Sequence, residues 1–565
     1  MKGKNMSKKQ HSKVRVMMLG GLNEIGKNLA VIEYEDDIVI IDCGIAFPDE
    51  DMLGVDLVIP DFTYLEKNAD KVRGILVTHG HEDHIGSIPY LLKLINVPVY
   101  ATRLTLGILE SKLAEHKLLG TANLVTVAAG DTVKLGCFRA EFIRANHSIA
   151  DACMIALRTP EGVIFHTGDF KLDVSPIGGE MMDLTRIGEY GREGILLLMC
   201  ESTNVEKPGF TPSERLVGVS LDHIFMTHTD KRVIIATFSS NVHRVQQIIN
   251  SSVRFGRKVA VTGRSMLNVV GAAQRLGYMD VPDGALIDIT EIGRYPQEMI
   301  TIITTGSQGE SMAALSRMAD GTHKKITIGQ GDTVIFSSNP IPGNEKAITN
   351  VVNKLLIKGA EVIFQDVHVS GHPNQEDVKL IYTLVHPRFA IPVHGEYRHL
   401  KAQAGLAADL GIPKDSIFIL RSGDILEMDS EHARMNGHVQ TGPVLVDGSG
   451  VGDVGNAVLH DRQKLAEDGI VVVAVSIYSD AGIMAGLPEI ISRGFIYEKM
   501  DETGELLQEA EEITRDAIED CISSYDLSGG MNRNRLKNSI KDSLGSFFWK
   551  KTKRRPMSLP VVVEI

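Results

Sequence analysis

Thr78-His79-Gly80-His81-Glu82-Asp83-His84 follows the apolar run Gly74-Ile75-Leu76-Val77 and precedes Ile88-Pro89-Tyr90-Leu91-Leu92-Lys93-Leu94-Ile95, which reads as a helix. Four metal-competent side chains therefore fall within six residues at a predicted strand end. An irregular turn lets side chains two apart converge on one point, so His79 and His81 suit one ion. Asp83 and His84, displaced along the turn, face a second ion a few ångströms away. A lone histidine would more often belong to a solvated loop, but HxHxDH behind an apolar strand is far more specific.

The remaining ligands recur at other strand ends. Arg144-Ala145-Asn146-His147-Ser148 supplies a third histidine for one ion. His166-Thr167-Gly168-Asp169-Phe170 places a carboxylate able to bridge both ions in a tight turn, and His394 in Ile391-Pro392-Val393-His394-Gly395-Glu396 would complete the ligands of the second ion. Taken singly, each would more often be a turn or capping residue.

The 565 residues allow two to four domains. Hydrophobic content of 43% and charged content of 23% are ordinary for a globular protein, and no apolar run reaches bilayer-spanning length. The basic stretch 1–13 has no apolar segment behind it and reads as a flexible tail of a cytoplasmic protein. Cys43, Cys137, Cys153, Cys200 and Cys521 lack CxxC pairing and read as thiols of a reducing compartment. A net charge of −13 argues against indiscriminate nucleic-acid binding, though it permits a local groove.

Short apolar runs broken by glycine, from Val14 to Asp42, predict a packed sheet. Strand and helix patterns alternate after it, with a helix over 104–119 and strands over 97–100 and 163–167. A second α/β block follows Glu201: strands 233–237, 259–262 and 299–304 with helices 242–255, 266–276 and 346–357. Its connections 238–241, 305–310 and 339–344 are rich in Gly, Ser and Asn, and such loops can offer N–H groups to phosphates. Ligands lie on both sides of this block, so it reads as a domain inserted into the metal-binding one. Beyond Gly448, strand 470–477, helix 505–523 and the basic run 550–556 predict a small terminal domain.

With these residues assembled, the chain resembles the bacterial ribonuclease J family, of the β-CASP branch of the metallo-β-lactamase fold. The resemblance runs from Leu19-Gly20-Gly21-Leu22-Asn23-Glu24-Ile25-Gly26-Lys27-Asn28 to Lys551-Thr552-Lys553-Arg554-Arg555-Pro556-Met557. The family's lactamase elements fall on Asp42, THGHEDH, His147, Asp169 and His394; its β-CASP marks fall on Glu201, His372 and His394. Glu201 stands where the family pattern leads us to expect aspartate, and Cys43 where it leads us to expect alanine.

The resemblance implies an α/β architecture: a metallo-β-lactamase αββα sandwich over 14–205 and 368–448, an inserted β-CASP α/β domain over 206–367, a linker over 449–460 and a small C-terminal α/β domain over 461–565. It implies two divalent metal ions per active site, zinc as bound, with manganese or magnesium as possible working ions. His79, His81 and His147 hold one, Asp83, His84 and His394 the other, and Asp169 bridges. The catalytic set is Asp42, Asp83, Glu201 and His372, with His372 as general acid held by Glu201. Hydroxide attack on the phosphodiester would leave 5′-phosphate and 3′-hydroxyl ends.

The implied substrate is single-stranded RNA with 5′-monophosphate ends, degraded 5′ to 3′ and also cut internally, in RNA maturation and messenger-RNA decay. Phe238, Ser239, Ser240 and Asn241, with His368, Val369, Ser370, Gly371 and His372, are the candidate substrate pocket. Arg244, Arg254, Arg257, Lys258, Arg264, Lys324 and Lys325 are candidate phosphate trackers. A homodimer or homotetramer, a paralogous subunit and RNA-degradation partners are also implied; no membrane is. Thioester or lactam hydrolysis predicts a shorter chain without the insertion. The same motifs also admit a DNA nuclease of this branch, or a structural subunit whose metal site is vestigial.

Overall fold

The computed structural model describes residues 13–308, 313–340, 344–364, 366–478, 483–496, 501–523 and 533–565. The tail at 1–12, the loop residues 309–310 and the loop residues 341–343 lie outside this set. Two compact units emerge, one of residues 1–46 and 58–444, the other of 47–57 and 445–565.

In the first unit two sheets face each other. Strands Val14–Gly20, Leu29–Tyr34 and Asp37–Ile41 form an antiparallel meander in an eight-stranded sheet, which continues in parallel through Val72–Leu76, Val99–Ala101 and Leu124–Thr126. The opposing six-stranded sheet runs from Thr132–Leu135 through Phe138–Arg144, Cys153–Thr159, Gly162–His166 and Ile195–Glu201 to Phe389–Val393. Between them Val16, Ile32, Val39, Phe138, Phe142, Ile155, Ile164, Leu197 and Ile391 form one buried apolar layer. The other face of the six-stranded sheet packs under the helices Leu184–Glu193, Gln375–Val385 and Tyr397–Asp409 through Ile187, Tyr190, Ile381, Val385 and Ala407. Both faces of these strands are covered, so they read as continuous apolar runs such as Ile195-Leu196-Leu197-Leu198-Met199-Cys200.

Strand Phe389–Val393 pairs in parallel with Ile195–Glu201, Glu201 opposite Val393, although almost two hundred residues separate them in sequence. The intervening chain builds its own parallel six-stranded sheet: Leu286–Ile287, Lys258–Thr262, Ile300–Thr304, Arg232–Ala236, Asp332–Phe336 and Glu361–Ile363 in spatial order. The insertion is therefore a complete α/β layer with its own core around Ile234, Ile302, Leu315, Val334 and Leu355.

In the second unit, strand Ile470–Tyr478 alternates buried with more accessible residues. Val471, Val473, Val475 and Ile477 pack on the helices Asp501–Ser523 and Arg533–Thr552. Strand Met557–Glu564 pairs in parallel with it along its length. In the stretch read as a linker, 449–460, Val451 pairs with Val446 across a hairpin and helix Asn456–Asp468 begins. All five cysteines are free, and Cys137 alone among them is exposed. Among the described residues no helix is long and apolar enough to cross a membrane.

Candidate metal centre

The topology delivers the chemistry to one place. Asp42 follows strand Asp37–Ile41, and Thr78 to His84 follow its parallel neighbour Val72–Leu76. Asp169, Glu201 and His394 lie at or just beyond the carboxyl ends of three parallel strands of the facing sheet. Such ends leave N–H and C=O groups unpaired and side chains convergent. Asp42 and His394 adopt φ of 60° and 53°, a left-handed conformation costly for side chains other than glycine and concentrated at functional sites.

The structure brings every sequence-predicted ligand together in two groups: His79, His81, His147 and Asp169, and Asp83, His84, Asp169 and His394. In the first group His79 Nε2 and His147 Nε2 each lie 3.1 Å from His81 Nδ1 and 3.7 Å from Asp169 Oδ2. In the second, His84 Nε2 lies 3.5 Å from Asp83 Oδ2 and 3.3 Å from Asp169 Oδ2, and His394 Nε2 lies 3.3 Å from Asp83 Oδ2. A tetrahedral ion with bonds of about 2.1 Å separates its ligand atoms by roughly 3.4 Å, so both groups fit an ion with little movement. Asp169 Oδ2 and His394 Nε2 are buried with no hydrogen-bond partner, a costly state that a bound cation relieves.

Outer partners fix the ring tautomers. His84 Nδ1 donates to Asp42 Oδ2 at 2.7 Å, His147 Nδ1 to the Gly371 carbonyl at 2.8 Å and His394 Nδ1 to Asp169 Oδ1 at 2.8 Å. His79 Nδ1 lies 3.0 Å from Thr78 Oγ1, which itself donates to Asp42 Oδ2 at 2.8 Å. His79 and His147 therefore turn a bare Nε2 toward the centre, and His84 and His394 aim their Nε2 at it. Asp42 also accepts from the Thr78 N–H at 2.7 Å. Both its oxygens are engaged, so it acts through Thr78 and His84, which makes it a positioning residue. Thr78, within the opening motif, was the partner that sequence reasoning passed over.

Burial drives the proton affinity of His79 and His147 well below the histidine range and that of His81 to about 4, in each case outweighing nearby carboxylates. These rings are neutral, the form that binds a metal. Burial also opposes charge on His84, but Asp169, Asp83 and Asp42 outweigh it and hold the ring well above the ordinary value. His394 is likewise raised to about 10 by Asp169 and Asp83 against the pull of burial. Asp83, His84, Asp169 and His394 would hold an ion only with those protons released.

His372 stands over the centre, its Nδ1 2.8 Å from Glu201 Oε2 and 3.7 Å from Asp169 Oδ2. Glu201 Oε1 accepts from the Phe170 N–H at 2.8 Å. Burial lowers the proton affinity of His372, but Glu201 overrides it and raises the affinity.

The predicted pocket residues divide. The Ser239 and Ser240 hydroxyls, half-buried, make no hydrogen bond among the described residues, whereas Asn241 Oδ1 accepts from the Arg244 N–H at 3.0 Å and caps helix Val242–Arg254. Ser370 Oγ accepts from Asn204 Nδ2 at 2.7 Å, and His368 Nδ1 accepts from Arg244 Nη1 at 3.0 Å. Val369 is buried, and a Cβ on Gly371 would meet the His147 ring at 2.7 Å. A cavity of about 540 Å³ beside His147 is lined by Arg103, Lys171, Asp173, Glu214 and His243 among others.

Several expected phosphate trackers serve elsewhere. Arg244 is fully buried against Glu214, and Arg257 donates to the carbonyls of His228, Lys231 and Ile300. Arg254 pairs with Asp222, and Lys258 donates to the Gly284 carbonyl. Arg264, Lys324 and Lys325 remain exposed. Carbonyls and carboxylates of the protein itself take up these cations, which sequence alone does not distinguish from binding to phosphate.

Comparison with known proteins accords with this geometry. Residues 23–174 match the metallo-beta-lactamase superfamily, 230–355 the ribonuclease J beta-CASP domain, 360–416 the Zn-dependent metallo-hydrolase RNA specificity domain and 457–565 the ribonuclease J C-terminal domain. Ribonuclease J 1 of Streptococcus pyogenes is 44% identical over 556 residues, 98% of each chain. Ribonuclease J2 of Bacillus subtilis is 40% identical over 562 residues, 99% of this chain and 100% of the other. A crystal structure of a protein of unknown function from Enterococcus faecalis V583 covers 74% of this chain and 100% of its own, with a TM-score of 0.53 at 18% identity, a likeness of fold alone. With an interrupted lactamase sandwich, its β-CASP insertion, the terminal domain and relatives matched end to end, the chain belongs to the ribonuclease J family.

Proposed function

We propose that this chain is a two-metal ribonuclease that removes nucleotides 5′ to 3′ from single-stranded RNA with 5′-monophosphate ends and also cuts internally, leaving 5′-phosphate and 3′-hydroxyl ends. The observation that carries the reading is the pair of four-ligand groups sharing Asp169 Oδ2, with His372 beside them. Divalent ions bound there, whether zinc, manganese or magnesium, lower the pKa of water and neutralise phosphate charge. His79, His81 and His147 would hold one ion, Asp83, His84 and His394 the other, and Asp169 both. His372, kept protonated by Glu201, gives its proton to the departing 3′-oxygen. Glu201 is anchored by the Phe170 N–H and so holds the ring at Nδ1, leaving Nε2–H as the acid.

The free Ser239 and Ser240 hydroxyls support a terminal-phosphate pocket built with the 368–371 segment. Dimer or tetramer formation in the cytoplasm belongs to the same reading. Its support is an apolar row on the C-terminal sheet, where Ile491, Val472 and Leu559 lie abreast and Val561 and Val563 continue along the last strand, with Ile491, Leu559, Val561 and Val563 exposed.

The test is turnover of one RNA carrying 5′-monophosphate, 5′-triphosphate or 5′-hydroxyl, with manganese or zinc, beside Asp83→Ala. Mononucleotides released fastest from the monophosphate and lost in the variant are expected. Internal fragments indifferent to the 5′ group would leave only the endonuclease, and turnover unchanged by Asp83→Ala would remove the metal mechanism.

A further inference from the structure

The Arg244 guanidinium lies inside the protein with no exposed surface. Its Nε and Nη2 donate to the two oxygens of Glu214 at 2.6 and 2.8 Å. Nη1 donates to the Ser337 carbonyl at 2.7 Å and to His368 Nδ1 at 3.0 Å, and Nη2 reaches the Val369 carbonyl at 3.3 Å. Ser337 Oγ in turn donates to the Val367 carbonyl at 2.5 Å. A planar fork with five donors fixes distance and angle together, which a single ammonium does not.

The segment so gripped is the one by which the chain returns from the inserted domain, and it ends in His372. Arg244 and Ser337, both from the insertion, hold residues 367–369. Residues 370–372 are held separately: on the lactamase side Asn204 donates to Ser370 Oγ and His147 to the Gly371 carbonyl, and on the exit into the insertion Thr211 Oγ1 donates to the His372 carbonyl at 2.9 Å. At the far end of the fork, the Glu214 N–H donates to Asp173 Oδ2 at 3.1 Å, so the ion pair is itself anchored to the lactamase side. One guanidinium thus ties the exit into the insertion to the return from it, three residues from the ring over the metal centre.

We propose that Arg244 is a positioning residue for proton donation: it fixes the 367–369 backbone and thereby the reach of His372 to the leaving oxygen. This rests on the reading of His372 as general acid. The metal ligands keep anchors outside residues 367–369, His147 through the bridge between Asn146 and Lys171 beside its bond to the Gly371 carbonyl and His84 through Asp42, so loosening residues 367–369 displaces His372 while both ions stay bound. A shift of about 1 Å at a reacting group can cost about a hundredfold in rate.

The experiment compares Arg244→Lys, His372→Ala and their combination on two substrates. One is RNA, whose alkoxide leaving group needs a proton. The other is bis(4-nitrophenyl) phosphate, whose phenolate leaves without one. Arg244→Lys is expected to lower kcat on RNA about ten- to a hundredfold with two metal ions retained, to leave the aryl diester unchanged, and to add nothing to His372→Ala. Ser337→Ala, which loosens the same segment without stranding a buried charge, is expected to show a smaller loss confined to RNA and is read alone if Arg244→Lys fails to fold. Equal losses on both substrates, losses additive with His372→Ala, or unchanged RNA turnover would overturn the inference. If His372→Ala itself slows both substrates equally, the general-acid reading fails instead.

Discussion

Gly371→Ala is a one-atom-group test of the metal centre. Gly371 does not take the positive φ that favours glycine, so what matters for the substitution is space. The new Cβ would lie 2.7 Å from His147 Cε1, 2.7 Å from Ser148 Oγ and 2.8 Å from His147 Nδ1. Carbon atoms in contact rest roughly 3.5 Å apart, so the His147 ring and the 371 backbone must separate by roughly 0.8 Å. The ring cannot yield freely, because its Nδ1 is bonded to the Gly371 carbonyl and its Nε2 sits 3.1 Å from His81 Nδ1. Metal–ligand distances tolerate only about 0.2 Å. The first ion is therefore expected to bind about 10- to 100-fold more weakly, the usual cost of disturbing a ligand's support, while His84 and His394 hold the second unchanged. Dialysed protein should carry close to one ion per chain by mass spectrometry, and RNA turnover should recover partly with excess metal. Two tightly held ions with wild-type turnover would refute the packing argument.

Further outcomes follow from particular contacts. Glu141 accepts from Arg186 at 2.7 and 2.8 Å and from Tyr190 at 2.6 Å, and the Arg186 bonds, outweighing burial, hold its pKa below the ordinary glutamate value. A depressed carboxylate stabilises above its unfolded pKa and loses that contribution as pH falls through the folded value. Glu141→Gln should therefore cost about 1–3 kcal/mol in denaturant unfolding at pH 7, a difference that closes below about pH 4. Glu201→Gln removes the charge that raises His372, so the alkaline limb of the kcat profile should move to lower pH; an unmoved limb would exclude His372 as the acid. Stripping metal with a chelator should lower the first thermal transition, since each ion at a hundred times its Kd adds about 2.7 kcal/mol. Val561→Glu on the exposed C-terminal strand should shift sedimentation toward monomer without altering the unfolding of the first unit.

The two sheets, the insertion and the convergence of the proposed ligands were legible because each rests on a local signal. An apolar strand of about five residues ends in a turn that carries His or Asp, and the spacing of the turn groups the ligands. Arg244 was not legible in its role. A basic residue near a Ser-rich loop looks the same whether it meets phosphate or a buried glutamate thirty residues earlier. Nor did the sequence disclose that Asp42 and His394 take left-handed backbone conformations, since that is imposed by the neighbouring strands. The helix Arg533–Thr552 escapes a sequence reading although Leu536, Ile540, Leu544 and Phe548 recur at helical spacing. Its dense charge and the basic run at its end mask the apolar stripe. The segment Phe47–Leu57 groups with the C-terminal unit through contacts such as the Asp56 N–H with the Val446 carbonyl, which no local pattern encodes.

The most direct measurement is anomalous diffraction from crystals grown with zinc or manganese. Two peaks are predicted, one within coordination reach of His79 Nε2, His81 Nδ1 and His147 Nε2, the other of Asp83 Oδ2, His84 Nε2 and His394 Nε2, with Asp169 Oδ2 touching both. A single peak, or two that do not share Asp169, would contradict the two-metal account.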